Sequence, residues 1–135
     1  MKIGLSWALI LAALILPSGA SAQLVPSPTV RVAAGCPQQP EPAVLANMDF
    51  RERGNFGILL QNMYKAAAYS DIAQSGTCHC DQRFPAWEPV VAYYLENYAG
   101  ETDRNTVRER ETFYLRSSNT NRPAVRDICM AAGNW

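Results

Sequence analysis

The only histidine of this chain stands between two cysteines, in the stretch TCHCDQRFPAWEP from Thr77 to Pro89. Thiolate and imidazole hold transition metals, exchange disulfides and form nucleophile–base pairs, so Cys78-His79-Cys80 is where chemistry is sought first. A structural zinc site takes two ligands from one knuckle and two from elsewhere. Three consecutive ligands wrap one ion poorly, and Cys36 and Cys129 would have to complete the set. A dithiol redox pair normally spaces its cysteines by two residues beside a βαβ unit; here the spacer is one residue and no alternating strand pattern is present. The remaining use is covalent. Four cysteines, Cys36, Cys78, Cys80 and Cys129, form an even set spread across the chain, as in exported proteins stapled by two disulfides. A Cys78–Cys80 bond would close a ring too small for ordinary disulfide geometry. One of the pair is therefore expected to reach Cys36 and the other Cys129, each bridge contributing about 3–4 kcal/mol by restricting the unfolded chain. His79 then becomes a surface residue on a stapled turn.

Other catalytic constellations are missing from the sequence. It contains no H-E-x-x-H, no G-x-S-x-G and no phosphate-cradling glycine loop. A Ser-His or Cys-His mechanism would have to use His79, wedged between two half-cystines. Glu88, Glu96 and Glu101 flank an aromatic helix, but Glu88 and Glu96 point the same way and no facing carboxylate is identifiable. The expectation is a protein without catalysis and without a cofactor.

The elements that position these residues follow from patterning. Residues 1–22, MKIGLSWALILAALILPSGASA, read as a secretory signal: Lys2, an apolar run from Leu5 to Leu16, then Pro17, Gly19 and the small-x-small Ala20-Ser21-Ala22. The apolar run is too short to span a bilayer. AAGC at 33–36 lies too far from that run to serve as a lipoprotein box. The expected mature chain starts at Gln23, is periplasmic or secreted, and carries no membrane span. It keeps all twelve acidic and eleven of the twelve basic residues, a formal charge of −1, which argues against nucleic acid as a partner.

Residues 23–42 carry five prolines and form an extended lead-in. Residues 43–135 are expected to form a small, mainly α-helical, disulfide-stapled domain of about four helices. The first contains an Asp49–Glu52 capping box and a kink or break at Gly54-Asn55. Beyond it Phe56, Leu59, Leu60, Met63 and Ala67 make an apolar stripe that ends at Gly76. In the second, Trp87, Val90, Val91, Tyr94, Leu95 and Tyr98 repeat at helical spacing as one apolar face. The third opens at Thr102 or Asp103 and is so heavily charged that it is expected outermost. The fourth starts at Pro123 and carries Val125, Ile128 and Cys129 on its inner side. The placement of Trp135 is left open.

The signal segment, the helix GNFGILLQNMYKAA, the run CHCDQRFPAW and the short closing helix with its cysteine together resemble small periplasmic accessory proteins encoded in bacterial conjugation and type IV secretion loci, over residues 54–135. That resemblance implies an assembly or structural role in a cell-envelope machine, with protein partners and no catalysis. From the residues themselves the leading expectation is an exported interaction protein. It would dock through Arg104, Arg108 and Arg110, because arginine is favoured at interfaces and the chain holds ten arginines against two lysines. A different reading is a carrier of a small apolar ligand lined by Met63, Trp87, Tyr94 and Tyr98. A third is a thiol-redox or metal protein centred on Cys78-His79-Cys80.

Overall fold

The computed structural model describes residues 35–135; the expected signal segment and the lead-in up to residue 34 lie outside them. Residues 36–42 carry neither helix nor strand and lead into α1 (Ala43–Ala46), a single turn that presses Leu45 into the core. Asp49 then caps α2 (Phe50–Glu52). Its carboxylate accepts the Glu52 N–H at 2.8 Å, and the Glu52 carboxylate accepts the Asp49 N–H at 3.1 Å, the reciprocal box that the spacing predicts.

Of the kink or break expected at Gly54-Asn55, the structure has no break but a widened turn. Helix α2 passes through one π-helical turn, Arg53–Gly57, directly into α3 (Ile58–Ser75). Arg53 ties this turn to α1, reaching Glu41 at 2.6 Å and the Leu45 carbonyl at 2.5 Å. Gly57 is buried beneath Leu45. A Cβ there would touch the Leu45 methyl at an ordinary 3.5 Å and crowd Arg53 Cγ at 3.1 Å, so glycine leaves room for the Arg53 side chain on its way to α1. Helix α3 ends at Gly76, which adopts φ 71° and returns its N–H to the Ile72 carbonyl at 2.9 Å.

After α3 the chain turns through α4 (Cys80–Arg83) and enters α5 (Glu88–Asn97), with Pro89 in the first turn where no intrahelical donor is needed. Only Tyr94 of α5 is fully buried, and Leu95 is 53% exposed. The continuous apolar face expected here is thus divided. Trp87, Val90, Val91 and Tyr94 pack inward, Leu95 faces out, and Tyr98 sits just past the helix, half-buried.

The third and fourth expected helices are one. Helix α6 runs unbroken from Arg104 to Ala131, about 42 Å, with Pro123 inside it. A mid-helix proline lacks its N–H and costs about 3 kcal/mol. Two circumstances outweigh that cost. Asn119, whose carbonyl loses the bond, is exposed, as is Pro123. On either side Ser118, Val125 and Cys129 are completely buried, apolar burial being worth about 1.5–3 kcal/mol for a valine-sized side chain.

Nor is this charged helix outermost. Leu59, Leu60 and Met63 share a core cluster with Tyr94 and Val107, while Tyr69 and Ile72 share a second with Val125 and Cys129. Helices α3 and α6 therefore run parallel along their length, and α5 returns antiparallel to both. Between the clusters the two helices bury small residues, Ala66 and Ser118, and the Ser118 hydroxyl donates back to the Leu115 carbonyl at 3.0 Å. Among the described residues the fold has no strand, and no helix is long and apolar enough to cross a membrane.

Candidate interaction surface

Both disulfides form. Cys80 is joined to Cys36 and Cys78 to Cys129, each pair with Cα atoms 5.1 Å apart. The two neighbouring half-cystines thus fan out in opposite directions, one holding the lead-in and the other the end of α6. His79 between them is exposed, and its backbone N–H donates to Gln82 Oε1 at 3.0 Å to start α4. With every cysteine paired, the triplet presents no thiolate for exchange or ligation in this state. Among the described residues no three His, Cys, Asp or Glu side chains gather as a metal cluster would require.

The proposed docking arginines all lie on α6 and are all exposed. Helix geometry separates them. Arg104 and Arg108 stand one turn apart on one edge, continued further along by Arg122 and Arg126. Arg110 points about 160° away from Arg108, on the edge that faces α5. Among the described residues ion pairs form only between Arg53 and Glu41 and between Arg126 and Asp127, so Arg104, Arg108 and Arg110 have no carboxylate within 4 Å. Charge is distributed unevenly. Helix α6 holds six arginines against three carboxylates, while residues 35–103 hold four cations against nine carboxylates. The segment that leads into α6 is built by acidic groups. Glu101 accepts the N–H groups of Thr102 and Asp103 at 2.8 Å each, and Asp103 accepts those of Asn105 and the Thr106 hydroxyl. The N–H of Asn105, followed by the Thr106 hydroxyl, holds the Asp103 carboxyl below its ordinary pKa.

On the Arg110 edge a row of aromatic rings crosses from α5 to α6. Tyr93, Tyr98, Tyr114 and Phe113 meet edge-to-face in sequence, with centroids 6.0, 6.4 and 5.2 Å apart. The Tyr98 and Tyr114 hydroxyls lie 3.3 Å from one another. Burial, then the bond to Tyr98, pushes the Tyr114 phenol well above its ordinary range. The ends of the row are open, Tyr93 being 49% and Phe113 60% exposed.

Met63, Trp87, Tyr94 and Tyr98 do belong to one apolar cluster, but they fill it rather than line a common cleft. Met63 and Tyr94 are buried, the Trp87 ring stacks 3.7 Å from that of Tyr64, and Tyr98 leans on Tyr114.

One grouping was not legible in the sequence. Arg83 lies over three rings, those of Trp135, Phe84 and Tyr69, at 4.8, 5.0 and 5.6 Å, and its buried Nε has no hydrogen-bond partner among the described residues. Trp135 is thereby docked against the second core cluster, and Asn134 donates to the Cys78 carbonyl at 2.7 Å. Compared with known proteins, the chain matches no family model, no curated protein and no solved structure.

Proposed function

We propose that this chain is an exported, non-catalytic interaction protein, an accessory of a cell-envelope secretion or conjugation apparatus, that binds an acidic protein surface through the Arg104–Arg108 edge of α6. The observation that carries the reading is the uncompensated charge of that edge on a helix fixed along α3 and pinned by the Cys78–Cys129 bond. Arginines on a rigid helix spare the cost of ordering the backbone on docking and present forked, pre-organised donors to carboxylates. Two disulfides are compatible with an oxidising compartment, and the described residues hold no membrane-spanning helix.

Export is tested by intact mass on protein recovered from a periplasm. A chain starting at Gln23 and about four hydrogens lighter than its reduced form supports the reading; protein retained in the cytoplasm with free thiols sinks it. Docking is tested by partner capture with Arg104→Glu/Arg108→Glu beside Arg110→Glu. The first pair is expected to lose the partner with an unchanged unfolding midpoint, and the Arg110 variant to keep it. An identical capture profile for all three proteins discards the α6 edge.

A further inference from the structure

The end of the bundle far from the disulfides holds a cleft of about 320 Å³, enclosed by α2 with its π-turn, the loop before α6 and the first turn of α6. Two cations line it from different elements, Arg51 of α2 and Arg104 of α6. Neither has a carboxylate within 4 Å among the described residues. Apolar surface from Phe56 and the buried Val107 lines the same cleft. Its one acidic group, Glu101, is committed to building the loop, with Oε1 accepting two backbone N–H groups.

The π-turn is the second, independent pointer. A π-turn is a rare departure from α-geometry that is frequent at functional sites. Here it carries Asn55 and Phe56 to the cleft, while the Asn55 amide donates to the Arg51 carbonyl at 3.1 Å and fixes the turn that presents Arg51. The first turn of α6 is already capped by Asp103, so the positive character of the cleft comes from guanidinium groups rather than from bare amides.

We infer that this cleft binds a carboxylate carried on a short apolar stem, the chemistry shared by an N-acylated apolar amino acid and by the free C-terminus of a peptide ending in an apolar residue. Guanidinium forks match a planar carboxylate with paired hydrogen bonds. Two arginines and one glutamate leave the lining with a single net positive charge, which suits a monoanion; a phosphate, carrying about −1.5 to −2, would meet Glu101 without a third cation. The volume lies at the lower limit of small-molecule sites, so the ligand is small or is only the tip of a chain. Phe56 and Val107 receive the apolar stem.

The test is titration of the full mature protein, followed by NMR chemical shifts, with N-acetyl-L-leucine, with the peptide Ac-Ser-Gly-Ser-Gly-Leu bearing a free carboxylate, and with its C-terminal amide. Binding of about 1 mM or tighter is expected for at least one of the two acids, weakened about tenfold or more for the amide. Arg51→Gln and Arg104→Gln should each weaken it about tenfold, and Arg116→Gln, on the same helix outside the cleft, should not. Equal binding of both acids supports the site and shows that only the terminal residue is read; binding of N-acetyl-L-leucine alone assigns a small-molecule ligand, and binding of the peptide alone a chain terminus. No binding of either acid at about 10 mM, equal binding of the amide, tighter binding of inorganic phosphate, or indifference to both cleft variants overturns the inference. Arg104 belongs to both the docking edge and the cleft, whereas Arg108→Glu reverses one of the two docking charges without touching the cleft, so a lost partner with unchanged acid binding, or the reverse, separates failure of the partner contact from failure of this site.

Discussion

The guanidinium of Arg83 lies 4.8 Å from the centre of the Trp135 ring, an interaction between the short helix after the cysteine pair and a residue 52 positions later. Tyr69 and Phe84 complete the enclosure, so a single cation fastens the segment after α6 to α3 and α4 at once. Replacing Arg83 with Ala should lower stability by about 1–2 kcal/mol, and Trp135→Ala by a similar amount. The double variant should cost clearly less than the sum, because each single change already removes the shared contact. Urea midpoints of the four proteins provide the cycle; full additivity would mean that the two side chains act independently.

Removing either disulfide should be expensive. The bridges close loops with sequence separations of 44 and 51 residues, for which chain restriction is worth about 4 kcal/mol each. Paired Cys→Ala variants are expected to unfold at markedly lower urea, with Cys78/Cys129 the more damaging since both sulfurs lie in the core. Peptide mapping of the unreduced protein should return Cys36 with Cys80 and Cys78 with Cys129.

Pro123→Ala should stabilise the protein by about 1–3 kcal/mol, because an N–H is restored to the exposed Asn119 carbonyl and nothing buried is disturbed. Thermal unfolding followed by circular dichroism measures it. A loss of stability would mean that the proline restrains the unfolded chain more than it costs the helix.

Alkaline pH offers a further check. The Tyr64 hydroxyl donates to the Pro85 carbonyl at 2.7 Å, and burial pushes its pKa from 10.0 up to about 12 despite the nearby positive Arg83. A phenol that ionises later in the folded state than in the unfolded one favours folding fully below pH 10, and that contribution is lost as pH rises toward 12. Stability should therefore be level with respect to this group up to pH 10 and fall beyond it. Tyr64→Phe should be less stable at neutral pH and decline less steeply in that window. Absorbance near 295 nm should show Tyr64, Tyr94 and Tyr114 each ionising above the ordinary phenol value of 10.0.

What the sequence made legible is what local chemistry decides. Asp49 with Glu52, Asp103 before α6 and Gly76 after α3 each announce a helix end because the group that satisfies a terminal N–H or carbonyl is a near neighbour in the chain. The narrow Cys78–Cys80 ring likewise excluded one pairing by geometry alone. Helix α6 was misread for the opposite reason. SSNTN followed by Pro123 looks like a boundary, yet Ser118 lies at its buried centre, where α3 also offers a small residue, Ala66. Tertiary packing decided that stretch, and propensity had no access to it. The Arg83 enclosure was equally out of reach, since its rings come from positions 69, 84 and 135.

Both disulfides emerge from neighbouring residues at the end of α3, so all covalent closure is concentrated at one pole of the molecule. The opposite pole, where α1, the π-turn and the start of α6 meet, is held by side-chain packing, hydrogen bonds and the Arg53–Glu41 ion pair. Amide hydrogen exchange should grade along the bundle accordingly, slowest near Ile72 and Val125 and fastest near Leu45 and Val107. A carboxylate seated between Arg51 and Arg104, as inferred above, should therefore slow exchange at the Leu45 and Val107 end and leave the rate near Ile72 and Val125 unchanged.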